Sequence, residues 1–432
     1  MNKAQRAGLL LLLWLPVLAT AQQGATRVTD AQLEQVLTAA QGKSNARLAR
    51  RLSGMELTER MSSSRLSSWM ARLQGTEAWD ALVALADMSA FLDPPPAEIP
   101  ADPPPELAAQ QQMISLTGAF LNRKIPRLPN FFATRTTFNY KEVLPRGDRP
   151  RNAKLVVGSL QRTDSSSATV LYRDGFDFVD AEEENGKQRN YNLMDPNGEI
   201  AASSKWQYRS METKGTFGPV LGAMKPVVAS GNLTWSRWEQ GEGGLWAVFR
   251  YAVPKEDSQY EVTYCCLPYG DGTGIYRHMT GYHGEIVINP VSGAILRLTV
   301  VADLQPKLPA ARAGIVIDTM QAEPNPTLPI IRADIMVEYG PVEIGGKTYT
   351  CPLRSVSIMR HRTVTHVHKD NPFGDFTRTH GPYMTELEDV SFQDYHVLRS
   401  ESRVLPGFNP APDERTPGPA VANPPAATSP PR

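Results

Sequence analysis

Cysteine is scarce in this chain, net charge is absent, and no apolar run beyond the first twenty residues is long. Each shortage removes a class of function. Three cysteines in 432 residues are too few for a disulfide-built scaffold. The 45 basic and 45 acidic side chains cancel, which leaves no broad electrostatic case for nucleic acid or an anionic membrane surface. No later stretch carries the roughly 20 apolar residues of a membrane-spanning helix. Catalytic signatures are missing too: there is no H-E-x-x-H, no G-x-S-x-G elbow, no P-loop and no Rossmann glycine fingerprint. Gly270-Asp271-Gly272-Thr273-Gly274 is dense in glycine but sits between strands and opens no helix, so it reads as a loop and not as a phosphate cradle.

What is present begins with an export signal. Lys3 and Arg6 precede an apolar run from Leu9 to Leu18, interrupted by Pro16, and Ala19-Thr20-Ala21 supplies the small residues of a cleavage site. Residues 1–21 are therefore expected to be removed, leaving Gln22 as the new N-terminus of a periplasmic or secreted protein without a transmembrane anchor. No cysteine follows closely enough for a lipid-modified start. The 36 prolines concentrate in two tracts, which mark boundaries: a semi-rigid spacer over 93–105 and a Pro/Ala-rich tail over 406–432 with almost no core-forming residues. The spacer could also serve as a ligand for a proline-reading partner.

Between these marks the chain has ample length for one large domain and a smaller one. Over 22–92 the apolar residues fall at helical spacing: Leu33, Val36, Leu37 and Ala40, then Leu48 and Leu52, then Leu66, Trp69, Met70 and Leu73, then Trp79, Leu82, Val83 and Ala86. Thr29 or Asp30 and Ser44 are natural N-caps. A further helix over 106–130 leads into the first strand. From 131 to 405 the period changes to two. Ala294, Leu296, Leu298 and Val300 alternate with Arg297 and Thr299, and Ile331, Ala333, Ile335 and Val337 alternate with Arg332, Asp334 and Glu338. That pattern predicts strands with one apolar and one wetter face, turned at Asn289–Gly293 and at Gly345-Gly346. A short helix is expected over 218–229. The fold class is α+β: a helical N-terminal region followed by a large curved antiparallel sheet, half-barrel-like.

Four groups of residues carry the possible chemistry. His361, His366, His368 and His380 fall within about twenty positions, together with Asp370 and Asp375. His366 and His368 share a strand face, so with His380 they are a candidate metal site, opposed by the basic Arg360, Arg362, Lys369 and Arg378. Cys351 and one of the vicinal pair Cys265-Cys266 suit a single disulfide, or all three are buried thiols. Glu386 and Glu388 share a strand face, where solvent exposure is expected; His283 and Glu285 share another and could exchange a proton. Trp206, Tyr208, Trp235, Trp238, Trp246, Phe249 and Tyr251 crowd neighbouring strands, either lining a concavity for an apolar ligand or filling the core beneath the helices.

Three segments resemble a group of exported proteins of Acidobacteria-type bacteria that brings no activity with it. They are Leu57-Thr58-Glu59-Arg60 with Ala84–Pro94 and Leu128–Arg135, then Gly281–Ile288, then Val337–Ser357. More remotely, the strand portion is similar to the periplasmic lipoprotein-carrier (LolA/LolB-like) half-barrel, whose curved sheet cups an acyl chain under helices. The alternating strands, the aromatic cluster and the absence of a catalytic motif together lead to an exported non-catalytic binding protein without a cofactor, its cupped sheet holding an apolar or lipid-like ligand or an exposed partner segment. The alternatives are a metal-dependent hydrolase built on the 361–380 histidines, and an envelope scaffold that engages a protein partner.

Overall fold

The computed structural model describes residues 25–42, 44–73, 75–143, 158–173, 176–184, 187–189, 219–241, 243–267, 274–304, 330–368 and 376–398, without side chains at 176–189, 219, 264–277, 362–368 and 376–382. The N-terminal periodicity folds as expected into α1 (Asp30–Ala40), α2 (Asn45–Leu52), α3 (Ser63–Met70) and α4 (Thr76–Met88). Thr29 starts α1 with a capping box: its hydroxyl accepts from the Gln32 amide at 3.2 Å, and the Gln32 side chain accepts from the Thr29 amide at 2.9 Å. Two short strands, β1 (Thr26–Val28) and β2 (Met55–Leu57), pair in parallel and tie the first turns together. Leu33, Leu37, Leu52 and Leu82 are fully buried among these elements.

The proline spacer then passes along the edge of the main sheet. It begins at Asp93, buries Pro94 and Pro95, and runs exposed over 101–104. It delivers the chain to α5 (Leu107–Ala119), which closes on a π-helical turn, Phe120–Lys124.

The strands follow in order: β3 (Phe131–Val143), β4 (Ser159–Arg173), β5 (Phe176–Glu184), β6 (Lys187–Arg189), β7 (Thr234–Gly241), β8 (Gly244–Val253), β9 (Glu261–Leu267), β10 (Gly274–Met279), β11 (Tyr282–Ile288), β12 (Ile295–Ala302), β13 (Ile330–Ile344), β14 (Lys347–His368) and β15 (Phe376–Val397). The helix α6 (Pro219–Ala229) precedes β7. Eleven of the strands make one antiparallel sheet in the order β6-β5-β4-β3-β15-β14-β13-β12-β11-β8-β7; side chains are described in nine of them, and β9 and β10 form a separate hairpin. Gly345 and Gly346, at φ 60° and 77°, make the two-residue turn between β13 and β14. This positive-φ pair matches the right-handed twist of the flanking strands. At the β11–β12 turn Gly293 (φ 70°) lies against the backbone of α5, where a Cβ would collide with the Leu116 carbonyl.

Two expectations are corrected here. The sheet is open, neither closed nor strongly curled, so it is not half-barrel-like. The physical reason is its cover. The helices α1–α4 pack on one face, against Tyr140, Met336, Val356, Ile358 and Leu387. The opposite face of β8 and β11–β13 lies under α5 and α6, which bring Met113, Leu121, Leu221 and Met224. A sheet with helices on both sides buries its apolar surface without curling. For the same reason the polar side of the alternating strands is not wet: Arg297, Thr299 and Asp334 are buried. Among the described residues no helix is long and apolar enough to cross a membrane.

Candidate functional site

Of the described rings of the aromatic cluster, Phe249 and Tyr251 are buried core, while Trp235, Trp238 and Trp246 are half-buried. Trp235, Trp238, Phe249 and Tyr251 point toward α5 and α6 and pack with Tyr282, Ile286 and Leu298. The Trp235 ring meets Trp238 edge-on at 4.8 Å and Phe249 at 5.4 Å. Polar handles are used locally: Tyr251 donates to the Thr299 carbonyl at 2.6 Å, and the Trp238 indole donates to the Pro103 carbonyl at 3.0 Å. Trp246 pairs with Glu239 on the other face. Trp206 and Tyr208 lie outside the described residues. A cleft of about 260 Å³ between α5 and α6, floored by Ile114, Leu121 and Val228 with Lys225 at its rim, is separate from these rings.

The histidine positions divide between the two faces. Val364 pairs with His380 and His366 with Arg378, so the backbone register sets positions 366, 368 and 380 on one face; their side chains, and all of Asp370 and Asp375, lie outside the described residues. His361 is on the other face, buried, with Nε2 3.1 Å from Glu386 Oε1. Among the described residues no group of three His, Cys, Asp or Glu side chains is placed to hold a metal ion. Cys351 is a free thiol, so the expected disulfide is not formed there. It is enclosed by Phe131, Val170 and Phe392, and burial pushes its thiol up to about 12. The side chains of Cys265 and Cys266 on β9 lie outside the described residues. His283 does not pair with Glu285: its Nδ1 sits 2.8 Å from Asp303 Oδ1, at the surface.

Two polar arrangements emerge that sequence reading did not assemble. The first is a field on the face away from α1–α4. Register aligns Ser166, Thr137, Val390 and Ser355 across β4, β3, β15 and β14. The next row holds Asp164, Asn139, Glu388 and Ser357, and the one beyond it Lys141, Glu386 and Met359. Glu388 is 2% exposed and Glu386 6%, which overturns their expected exposure. The hydroxyls of Thr137 and Ser355 are buried without a hydrogen-bond partner among the described residues. A buried hydroxyl without a partner costs roughly 1–3 kcal/mol. The signal was present in β3: Phe131 and Ala133 give way to Arg135, Thr137, Asn139 and Lys141 on the same parity.

The second is a band of alternating charges, spread over neighbouring register rows, beneath the N-terminal helices. Arg250 pairs with Glu285 across β8 and β11, Arg297 with Glu338 across β12 and β13, and Glu338 with Arg354 on β14. Arg354 Nε donates to Asp389 on β15 at 2.8 Å. Glu239 is the hub, reached by Arg297, Arg237 and, from the helical layer, Arg60. Burial works to raise its carboxyl, but the three guanidiniums outweigh it and hold the group down to about 2. Burial together with Arg297 lowers Arg60 to about 10 in spite of Glu239. Asp87 of α4 bonds to Arg354, yet full burial pushes its carboxyl well above the ordinary range. The ion pairs of this band tie the helices to the sheet, which gives it a structural role; the field, whose Thr137 and Ser355 hydroxyls have no hydrogen-bond partner among the described residues, is the better site for a ligand.

In comparisons with known proteins, no protein-family model, no curated protein and no solved structure matches this chain.

Proposed function

We propose that this chain is an exported, non-catalytic binding protein whose ligand is polar and engages the field around Thr137, Ser355 and Glu388. The observation that carries this reading is the pair of buried hydroxyls, Thr137 and Ser355, without hydrogen-bond partners among the described residues, beside two buried carboxylates on the sheet face away from α1–α4. Such a polar patch weakens the fold and is retained where it does a separate job. Carboxylates accept hydrogens from hydroxyl or amine groups and the free hydroxyls donate or accept, so the ligand should carry both kinds of group. We prefer this polar field to an apolar ligand cupped by the aromatic strands because Phe249 and Tyr251 are buried beneath α5 and α6.

The test is mass spectrometry under non-denaturing conditions on mature protein from its native host. A small hydroxyl- or amine-bearing molecule, released on denaturation and absent from a Glu388→Leu variant, supports the reading. Bare protein mass, or the same molecule in both proteins, defeats it. The hydrolase reading rests on the shared face of positions 366, 368 and 380. It would take over if the same spectra showed a metal ion that disappears in His366→Ala.

A further inference from the structure

The cleft between α5 and α6 shares no residue with the polar field or with the band of charges. Its volume is about 260 Å³, below the roughly 300–1,000 Å³ of pockets for drug-sized molecules. The floor is apolar: Leu121 and Val228 are buried and Ile114 is half-buried. The rim is polar, with Ser115, Asn122 and Lys225 exposed. Among the described residues no acidic side chain lines the cleft, and Lys225 has no carboxylate partner. Both helices give up regular α-helical hydrogen bonding beside it. The π-helical turn Phe120–Lys124 carries Leu121 and Asn122 to the cleft, and such turns are frequent at functional sites. In α6, Pro226 follows Lys225 and has no amide hydrogen for the Gly222 carbonyl. Gly118 adds no side chain to the floor, although a Cβ there would stand 3.7 Å from Val228, an ordinary contact.

We propose that this cleft binds a short aliphatic monocarboxylate. The chain lies on Ile114, Leu121 and Val228, and the head group meets Lys225, with Ser115 and Asn122 as further donors. Charge decides the class. An ammonium without a counter-charge, at the edge of an apolar floor, favours an anion over a cation, and a carboxylate accepts the hydrogens that Ser115 and Asn122 offer. Volume decides the size: a single chain of several carbons fits, and a diacyl lipid does not. Glu388 and its neighbours play no part here, so this site and the polar field stand or fall separately.

Calorimetric titration of the purified protein with octanoate, and with octylamine as the probe of the same chain and opposite charge, is the test. Octanoate is expected to bind with a Kd below about 1 mM, and octylamine at least about fivefold more weakly. Lys225→Glu should reverse that preference. Ser115→Phe changes an exposed position, so the fold is undisturbed, and it should fill the mouth of the cleft and weaken octanoate at least about tenfold. No binding of octanoate, equal binding of the two probes, or a preference unmoved by Lys225→Glu would overturn the proposal. An octanoate affinity unmoved by Ser115→Phe would place the molecule elsewhere and overturn it as well.

Discussion

Arg297 and Glu239 meet through two parallel hydrogen bonds of 2.8 and 2.9 Å although two strands lie between them in the sheet. The register explains how. Arg297, Val287, Val248 and Arg237 form one row across β12, β11, β8 and β7. Both valines are fully buried, and their short side chains leave room for the flanking arginines to lean over them toward Glu239. Removing the carboxylate would leave three guanidiniums close together without their shared counter-charge. Glu239→Gln is expected to destabilise the protein by about 3–5 kcal/mol, the cost of breaking a buried pair from one side. Urea denaturation measures it; a loss near zero would mean that the row contributes nothing to stability.

Acid should act on the two buried acids with opposite sign. The folded-state carboxyl of Glu239 is depressed to about 2, so its contribution is present above the ordinary glutamate value and is lost as pH falls toward 2. Asp87 is raised, so the folded state takes up its proton more readily than the unfolded chain does. Its protonation therefore favours folding as pH falls. Stability is expected to hold or rise from pH 7 to about 5 and to decline steeply only below about 4. In Glu239→Gln that steep acid limb should flatten while the Asp87 response remains.

The helices and strands were legible because each shows its period in the sequence: Leu33 and Leu37 at helical spacing, Leu298 and Val300 at alternation. The cover was not. Nothing local in Arg297 or Glu338 says whether the wetter side of a strand meets solvent or a layer of helices two hundred residues away. Alternation was therefore read as exposure, and curvature was inferred from strand number. The field was missed for a related reason. Thr137, Ser355 and Glu388 lie far apart in sequence and become neighbours only through register, which no single strand reveals.

The field itself makes a prediction that needs no ligand. Thr137→Val and Ser355→Ala each remove a buried hydroxyl that has no partner among the described residues. Each should leave stability unchanged or raise it by about 1 kcal/mol. Both should weaken retention of any co-purifying ligand. A clear loss of stability would show that the hydroxyls are satisfied within the folded protein, and would remove the reason for placing a ligand there.

Cys351 should behave as an inert thiol. It is fully buried, free, and pushed up to about 12 by desolvation, so at neutral pH almost none of it is the reactive thiolate. Reaction with a disulfide reagent is expected at this position only after unfolding, with peptide mapping to separate it from Cys265 and Cys266. Rapid native labelling of Cys351 would contradict the burial.

Phe249 separates the two readings of the aromatic strands most directly. It is 1% exposed and lies edge-on to Trp235, with Ala247 and Tyr251 alongside on the same strand face. In a ligand-lined concavity the ring would be solvated in the empty protein, and truncating it would cost little stability while abolishing binding. In packed core the truncation opens a void that rigid neighbours fill only in part, so Phe249→Ala is expected to cost about 3–5 kcal/mol. Phe249→Leu, which restores most of the volume, should recover much of that. The pair of variants distinguishes lost packing from lost recognition: a small loss with Ala would return the aromatic strands to consideration as a binding surface, and a large loss partly restored by Leu fixes them as core.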